Sequence, residues 1–169
     1  RLPQAVTALL CGSALAGSGL LLQTYFNNYL ADPSILGISS GASFGVGVVM
    51  LILGGSVGIG SLSFSGFLAV LVGAVIGSLL VMSVLLFFSS LVKDSLTLLI
   101  IGIMIGYITS SVISLLNFFA TAEGVHSYVI WGLGTFGGVS SAQLPFFSAT
   151  IIIGLIGTVL LIKPLNALL

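Results

Sequence analysis

The stretch GFLAVLVGAVIGSLLVMSVLLFFSSLV, residues 66–92, decides the fold. It contains no charged side chain and no proline, and it is long enough to cross the roughly 30 Å hydrocarbon core of a bilayer, which takes about 20 mostly apolar residues as a helix. Its apolar residues run continuously instead of alternating in steps of two, so a helix fits and a barrel strand does not. The expectation is a membrane-spanning helix.

The rest of the chain extends that reading. The six charges are Arg1, Asp32, Lys93, Asp94, Glu123 and Lys163, and long apolar runs separate them. With 58% hydrophobic and 4% charged residues, the composition lies far from the soluble average of about 25% charged. Formal net charge is zero, which leaves no basic patch for nucleic acid. Cys11 is the only cysteine, so no internal disulfide, redox pair or cysteine metal cage can form, and a small apolar packing role suits it. The opening on Arg1 and the close just after an apolar run point to a fragment lacking its N-terminus and some of its C-terminus.

Five apolar runs predict five spans, at about 5–22, 35–53, 66–92, 96–120 and 144–162, within a single transmembrane domain covering 1–169. The expected fold class is all-α, a polytopic transmembrane helical bundle. Five spans alternate the connecting segments between two faces. One face carries 23–34, 89–95 and the tail with Lys163; the other carries 1–4, 54–65 and 121–143. Lys93 and Lys163 against Arg1 alone place the first face in the cytoplasm under the positive-inside rule.

Glycines recur at four-residue spacing at Gly37, Gly41 and Gly45, at Gly73 and Gly77, and at Gly102 and Gly106. Lipid gives helices no hydrophobic reason to associate, so close backbone approach over such faces supplies dispersion energy instead. These positions are expected at helix contacts.

Two segments fit the nucleophile pattern G-x-S-x-G, Gly37-Ile38-Ser39-Ser40-Gly41 and Gly41-Ala42-Ser43-Phe44-Gly45, and His126 is the lone histidine. A base must approach its nucleophile to about 3 Å. The topology puts Ser39 and His126 at opposite faces, about 30 Å apart, so a hydrolase is excluded and the serines are read as partners of helix-end carbonyls. In the fourth run, Tyr107, Ser110, Ser111, Ser114, Asn117 and Thr121 recur in steps of three and four, which confines them to one helix face. That polar stripe either bonds to backbone and neighbouring helices or lines a solvated pathway. The segment 121–143, with Val129-Ile130-Trp131-Gly132-Leu133-Gly134 and Phe136-Gly137-Gly138, suits a short interfacial helix or re-entrant piece with Trp131 at headgroup level.

Arg1-Leu2-Pro3, the small residues of 12–19, Gln23, Phe26, Asn28, Leu30-Ala31-Asp32-Pro33 and Ile35-Leu36-Gly37-Ile38-Ser39-Ser40-Gly41-Ala42 closely resemble the FecCD family. Those proteins are permease subunits of type II ABC importers for iron–siderophore complexes, haem and cobalamin. The stretch 98–106, Trp131-Gly132, Phe136-Gly137-Gly138 and Lys163-Pro164-Leu165-Asn166 continue the likeness in order. The resemblance implies the second to sixth of ten spans. Two departures stand out: Tyr29 replaces a proline usual at the inner turn, and Gln4 stands where some relatives carry another arginine.

The resemblance further implies a multi-pass protein of the bacterial inner membrane, itself no enzyme and binding no cofactor or metal. Its partners would be a second permease copy forming a homodimer, an external substrate-binding protein, and a cytoplasmic ATPase dimer that uses the ATP. Arg1 would dock the binding protein through a carboxylate, Asp94, Ser95, Leu96 and Thr97 would form an inner gate loop, and Tyr107, Ser110, Ser114 and Asn117 would line the translocation pathway. A secondary transporter and a non-transporting membrane fragment are the other classes in view. A secondary transporter usually carries ionisable groups within its spans, and none is present in these runs.

Overall fold

The computed structural model describes residues 1–161 apart from Leu30, Gly55, Gly60, Ser61, Lys93, Gly137, Gly138 and Ala142, and not the side chains of 56–59, 62–65 and Ser95. Lys93 and Lys163, the Gly137-Gly138 pair and the Pro164-Leu165-Asn166 motif therefore lie outside the described residues. The elements in order are α1 (Leu2–Phe26), α2 (Ile38–Gly47), a π-helical turn (Val48–Ile52), β1 (Ser56–Ile59), β2 (Leu62–Ser65), α3 (Phe67–Leu91), α4 (Ser95–Phe119), α5 (Ala122–Gly132) and α6 (Leu144–Leu160). The protein is an α-helical membrane bundle in class, with one short antiparallel hairpin in which Ser56 pairs with Ser65 and Ile59 with Leu62.

Three helices, α1, α3 and the 96–119 part of α4, are long and apolar enough to cross a membrane. Two shorter apolar helices, Ile38–Ile52 and Leu144–Leu160, occupy the second and fifth runs. The second run differs most from the expected continuous span. It starts at Gly37, in the left-handed region at φ 75°, and after ten α-helical residues widens into five π-helical ones. At 1.5 Å per residue that is about 22 Å, shorter than the hydrocarbon core.

Chain contacts divide the protein into two compact units, residues 1–33 with 135–169, and residues 34–134. In the first, α1 begins with proline in its first turn, which costs nothing there because that N–H has no helical partner. It ends at Asn27, whose left-handed backbone (φ 45°) sends its N–H back to the Gln23 and Thr24 carbonyls. Gly17 of α1 faces Leu155 and Thr158 of α6, where an added Cβ would meet them at 3.5 and 3.7 Å.

The second unit is built on glycine. An added Cβ on Gly41 would lie 2.6 Å from Val81 Cγ2 and 2.7 Å from the Gly77 carbonyl oxygen. One on Gly45 would overlap the Gly73 carbonyl, and one on Gly77 the Gly41 carbonyl. On the other side of α2, Gly37 would meet the Gly102 oxygen at 2.8 Å, while Gly102 would meet Leu36 Cα at 2.9 Å. The four-residue glycine spacing thus marks backbone contact of α2 with α3 and α4, as its pattern predicts. Leu36, Val46, Val49, Leu51, Ala69, Val81, Leu85, Leu98 and Ile113 form the buried core there. Ile76, Leu79, Leu86 and Phe87 of α3, and Met104, Ile108 and Phe118 of α4, are exposed. Such outward faces suit a hydrocarbon solvent.

Candidate functional site

Within the second unit, α2, α4 and α5 border an open pocket of about 370 Å³ lined by Ser39, Ser40, Ser43, Ser110, Ile113, Ser114 and Tyr128. Each contribution follows from helical phase. Ser39 and Ser43 are four residues apart on α2, Ser110 and Ser114 four apart on α4, and such pairs lie one above the other on a helix face. α2 can come close enough to α4 to share a cavity because Gly37 and Gly102 touch without side chains between them. Tyr128 enters from α5. It lies against Gly47, whose added Cβ would be 3.6 Å from the tyrosine ring, and stacks on Trp131 with ring centroids 6.0 Å apart.

The lining mixes hydroxyls with nearly as much apolar surface and carries no charged side chain. Ser114 Oγ donates to the Ser110 carbonyl at 3.0 Å, which leaves its oxygen free to accept. Each hydroxyl can both donate and accept, so the pocket offers mixed hydrogen bonding with no fixed charge. Among the described residues no group of three or more His, Cys, Asp or Glu is placed to hold a metal. Ser39 and Tyr128 line the same pocket, so the expected separation of about 30 Å between Ser39 and His126, two residues before Tyr128 on α5, does not hold; His126 itself is exposed and outside the lining, which contains no base.

The residues singled out in the sequence fall into three places. Ser110 and Ser114 line the pocket. Tyr107 is 72% exposed, outside the lining; its carbonyl accepts the Ser111 hydroxyl at 2.9 Å. Asn117, one turn beyond Ser114, is half-buried with its Oδ1 buried and unpartnered among the described residues, an arrangement that leaves desolvation uncompensated.

Asp94, Ser95, Leu96 and Thr97, which the resemblance places in a gate loop and the apolar run places at the start of the fourth span, form a helix start. Asp94 is the N-cap of α4, and its carboxylate accepts the Thr97 N–H at 3.1 Å and the Thr97 hydroxyl at 2.9 Å. The cause is local chemistry, because a capping aspartate satisfies an N–H that has no carbonyl within the helix. The Thr97 hydroxyl first, and then its backbone N–H, hold the Asp94 carboxyl below its ordinary range. Arg1 stands as the exposed N-cap of α1, making no side-chain cap bond. The segment 121–143 does contain the expected short helix: Thr121 caps α5 through the Gly124 N–H at 3.2 Å.

Sequence reasoning missed Ser39, Ser40, Ser43 and Tyr128 as pocket residues. The serines carried a signal in their i, i+4 spacing beside the glycine face. Tyr128 carried none, since its place depends on how α5 folds back.

A bundle of glycine-packed helices, three of them long and apolar enough to cross a membrane, defines a helical membrane protein in class. The whole chain, residues 1–169, matches the FecCD transport family, and it belongs to that family. It is a multi-pass protein of the inner membrane.

It is 37% identical over 144 residues to the vitamin B12 import system permease protein BtuC of Klebsiella pneumoniae, covering 85% of this chain and 41% of that protein. The corresponding BtuC of Salmonella paratyphi A is 35% identical over 143 residues, with 85% and 41% covered. Among solved structures, a transporter assigned to the metal-chelate ABC type, in an inward-facing conformation, superposes with a TM-score of 0.83 at 29% identity. That match covers 99% of this chain and 51% of the other. The chain spans about two fifths of the length of the curated relatives it matches.

Proposed function

We propose that this chain is membrane-spanning permease sequence of a binding-protein-dependent ABC importer, moving a large metal chelate (an iron chelate, haem or corrinoid) across the inner membrane. The carrying observation is the family match along all of 1–169. The vitamin B12 permeases among its relatives support a corrinoid, and the metal-chelate transporter supports the wider class. The partners would be a second permease copy, a cytoplasmic ATPase pair and an external binding protein.

In this reading Arg1, exposed at the start of α1, meets a carboxylate of the binding protein, a geometry that suits bidentate pairing. The capped helix start at Asp94, Ser95, Leu96 and Thr97 borders the inner gate. Tyr107, Ser110, Ser114 and Asn117 face the pathway, with Ser110 and Ser114 reaching it through the hydroxyl pocket.

The test is uptake by proteoliposomes holding the full-length permease with its ATPase and binding protein, using labelled cobalamin and a ferric chelate. Uptake that requires ATP and the binding protein supports the proposal. Uptake driven by an ion gradient without ATP would make the protein a secondary transporter instead.

A further inference from the structure

We propose that the β1–β2 hairpin is a lipid-docking element, which lays one apolar face on the bilayer surface beside the ends of α2 and α3. The inference stands on the membrane class of the protein and goes beyond the transport reading.

Strand register carries the argument. Residues directly opposite in an antiparallel pair share a face of the sheet, and the faces alternate along each strand. Val57 with Phe64 and Ile59 with Leu62 therefore fall on one face, and Ser56 with Ser65 and Gly58 with Ser63 on the other. One face is wholly apolar and the other wholly small or hydroxylic. A two-stranded hairpin is at best marginally stable alone in water and needs a surface for its apolar face.

The fold puts lipid within reach. A single residue, Gly66, separates β2 from α3, a span of 25 residues that is about 37 Å long against a hydrocarbon core of roughly 30 Å. The end of α2 is nearly level with it. An added Cβ on Gly73 would meet Val49 Cγ2 at 2.7 Å; Gly73 is six residues after Phe67, and Val49 three before the end of the π-helical turn, so the two helix ends differ in height by about 5 Å. Strands of four residues reach about 13 Å, which keeps the hairpin beside those ends. At both corners a glycine with positive φ, Gly54 at 61° and Gly66 at 63°, turns the chain out of the helix direction.

Charge and polarity select lipid over a protein partner. From residue 33 to residue 92 there is no charged side chain. A protein–protein interface rings an apolar centre with a polar rim, whereas here apolar and polar residues are segregated to opposite faces, as in elements that lie in a membrane interface. The backbone sets the depth. In a two-stranded sheet each strand has an outer edge without a neighbouring strand, and hydrocarbon cannot satisfy the N–H and C=O groups there. The edges therefore stay among headgroups and their water while the apolar face meets the acyl chains.

The test is spin-label accessibility in the full-length permease, with Cys11→Ala and any other cysteine replaced, reconstituted in phosphatidylethanolamine–phosphatidylglycerol liposomes. Labels at Val57→Cys, Ile59→Cys and Phe64→Cys are compared with labels at Ser56→Cys, Ser63→Cys and Ser65→Cys. Oxygen concentrates in lipid and nickel-EDDA stays in water, so the oxygen-to-nickel ratio should be severalfold higher at the first three and alternate along each strand. A ratio without alternation, or one higher at the serine positions, overturns the inference. Low accessibility of the apolar positions to both reagents also overturns it, since protein would then cover that face. So does a water-like ratio there that is lost only when the external binding protein is added, which would make the hairpin a docking surface for that protein. Where a label disturbs assembly, Phe64→Trp and Ser63→Trp, with other tryptophans replaced by phenylalanine, read the same contrast: brominated lipid should quench the first severalfold more than the second, and equal quenching overturns the inference.

Discussion

Gly41→Ala should weaken the α2–α3 contact far more than its size suggests. The new Cβ would lie 2.6 Å from Val81 Cγ2, 2.7 Å from the Gly77 oxygen and 2.9 Å from Val81 Cβ, against an ordinary contact of about 3.5–4.0 Å. The helices must part by about 1 Å, and Gly77, whose own added Cβ would overlap the Gly41 carbonyl, leaves no route around the clash. A gap of that size forfeits a quarter to a half of each dispersion well of about 0.1–0.2 kcal/mol. Over about twenty atom pairs the loss is about 1 kcal/mol, on top of an overpacking cost of about 1–3 kcal/mol.

Gly12→Ala on α1 is the matched control, because nothing lies within 4 Å of its added Cβ. Both substitutions gain about 0.5–1 kcal/mol of helix propensity, so that gain cancels between them. The variants should differ by about 2–4 kcal/mol, read as unfolding free energy from SDS titration in mixed micelles followed by circular dichroism. Stabilities within about 0.5 kcal/mol of each other, the usual spread for a neutral surface change, would refute backbone contact as the basis of this packing.

Three further outcomes follow from the same structure. With Cys11→Ala as background, Ser127→Cys should react with an impermeant thiol reagent on intact cells and Ser90→Cys should not; labelling at Ser90 would reverse the orientation. Ser114→Leu should block uptake without lowering thermal stability if its face borders a cavity, whereas a stability loss of about 1–3 kcal/mol with disassembly would mark a packed contact. Asp94 has a lowered carboxyl pKa, so its cap contributes stability above the unfolded aspartate pKa of about 3.9 and loses it as pH falls through the lower folded value. Asp94→Ala should therefore melt below the parent at neutral pH and converge with it in acid, while Asp94→Asn, which also caps, should keep much of the parent stability at neutral pH.

The sequence and the structure agree where a local rule decides the outcome. The runs at 66–92 and 96–120 become Phe67–Leu91 and Ser95–Phe119, because charge-free length alone dictates a spanning helix and the charged pair Lys93-Asp94 punctuates it. The glycine spacing foretold contact because a residue without a side chain has little else to offer in lipid. The family resemblance implies a gate loop at Asp94, Ser95, Leu96 and Thr97 while the apolar run starts a span at 96, and the local chemistry favours the run: the Asp94 carboxylate caps the helix that follows.

The second run shows what a hydropathy count cannot see. Length and apolar content predicted one span over 35–53, but helix geometry changes at Val48, where the turns widen, and no residue type there announces it. The widened turn also has a close neighbour: an added Cβ on Gly124 of α5 would lie 3.0 Å from the Met50 carbonyl oxygen. That approach seats α5 against the end of α2 and so delivers Tyr128 to the pocket. The half of the site formed by Ser110 and Ser114 was legible as a stripe on one helix. The half formed by Ser39, Ser40, Ser43 and Tyr128 exists only once glycine lets α2 lie against α4 and α5 folds back, a property of contacts between elements that no single helix encodes.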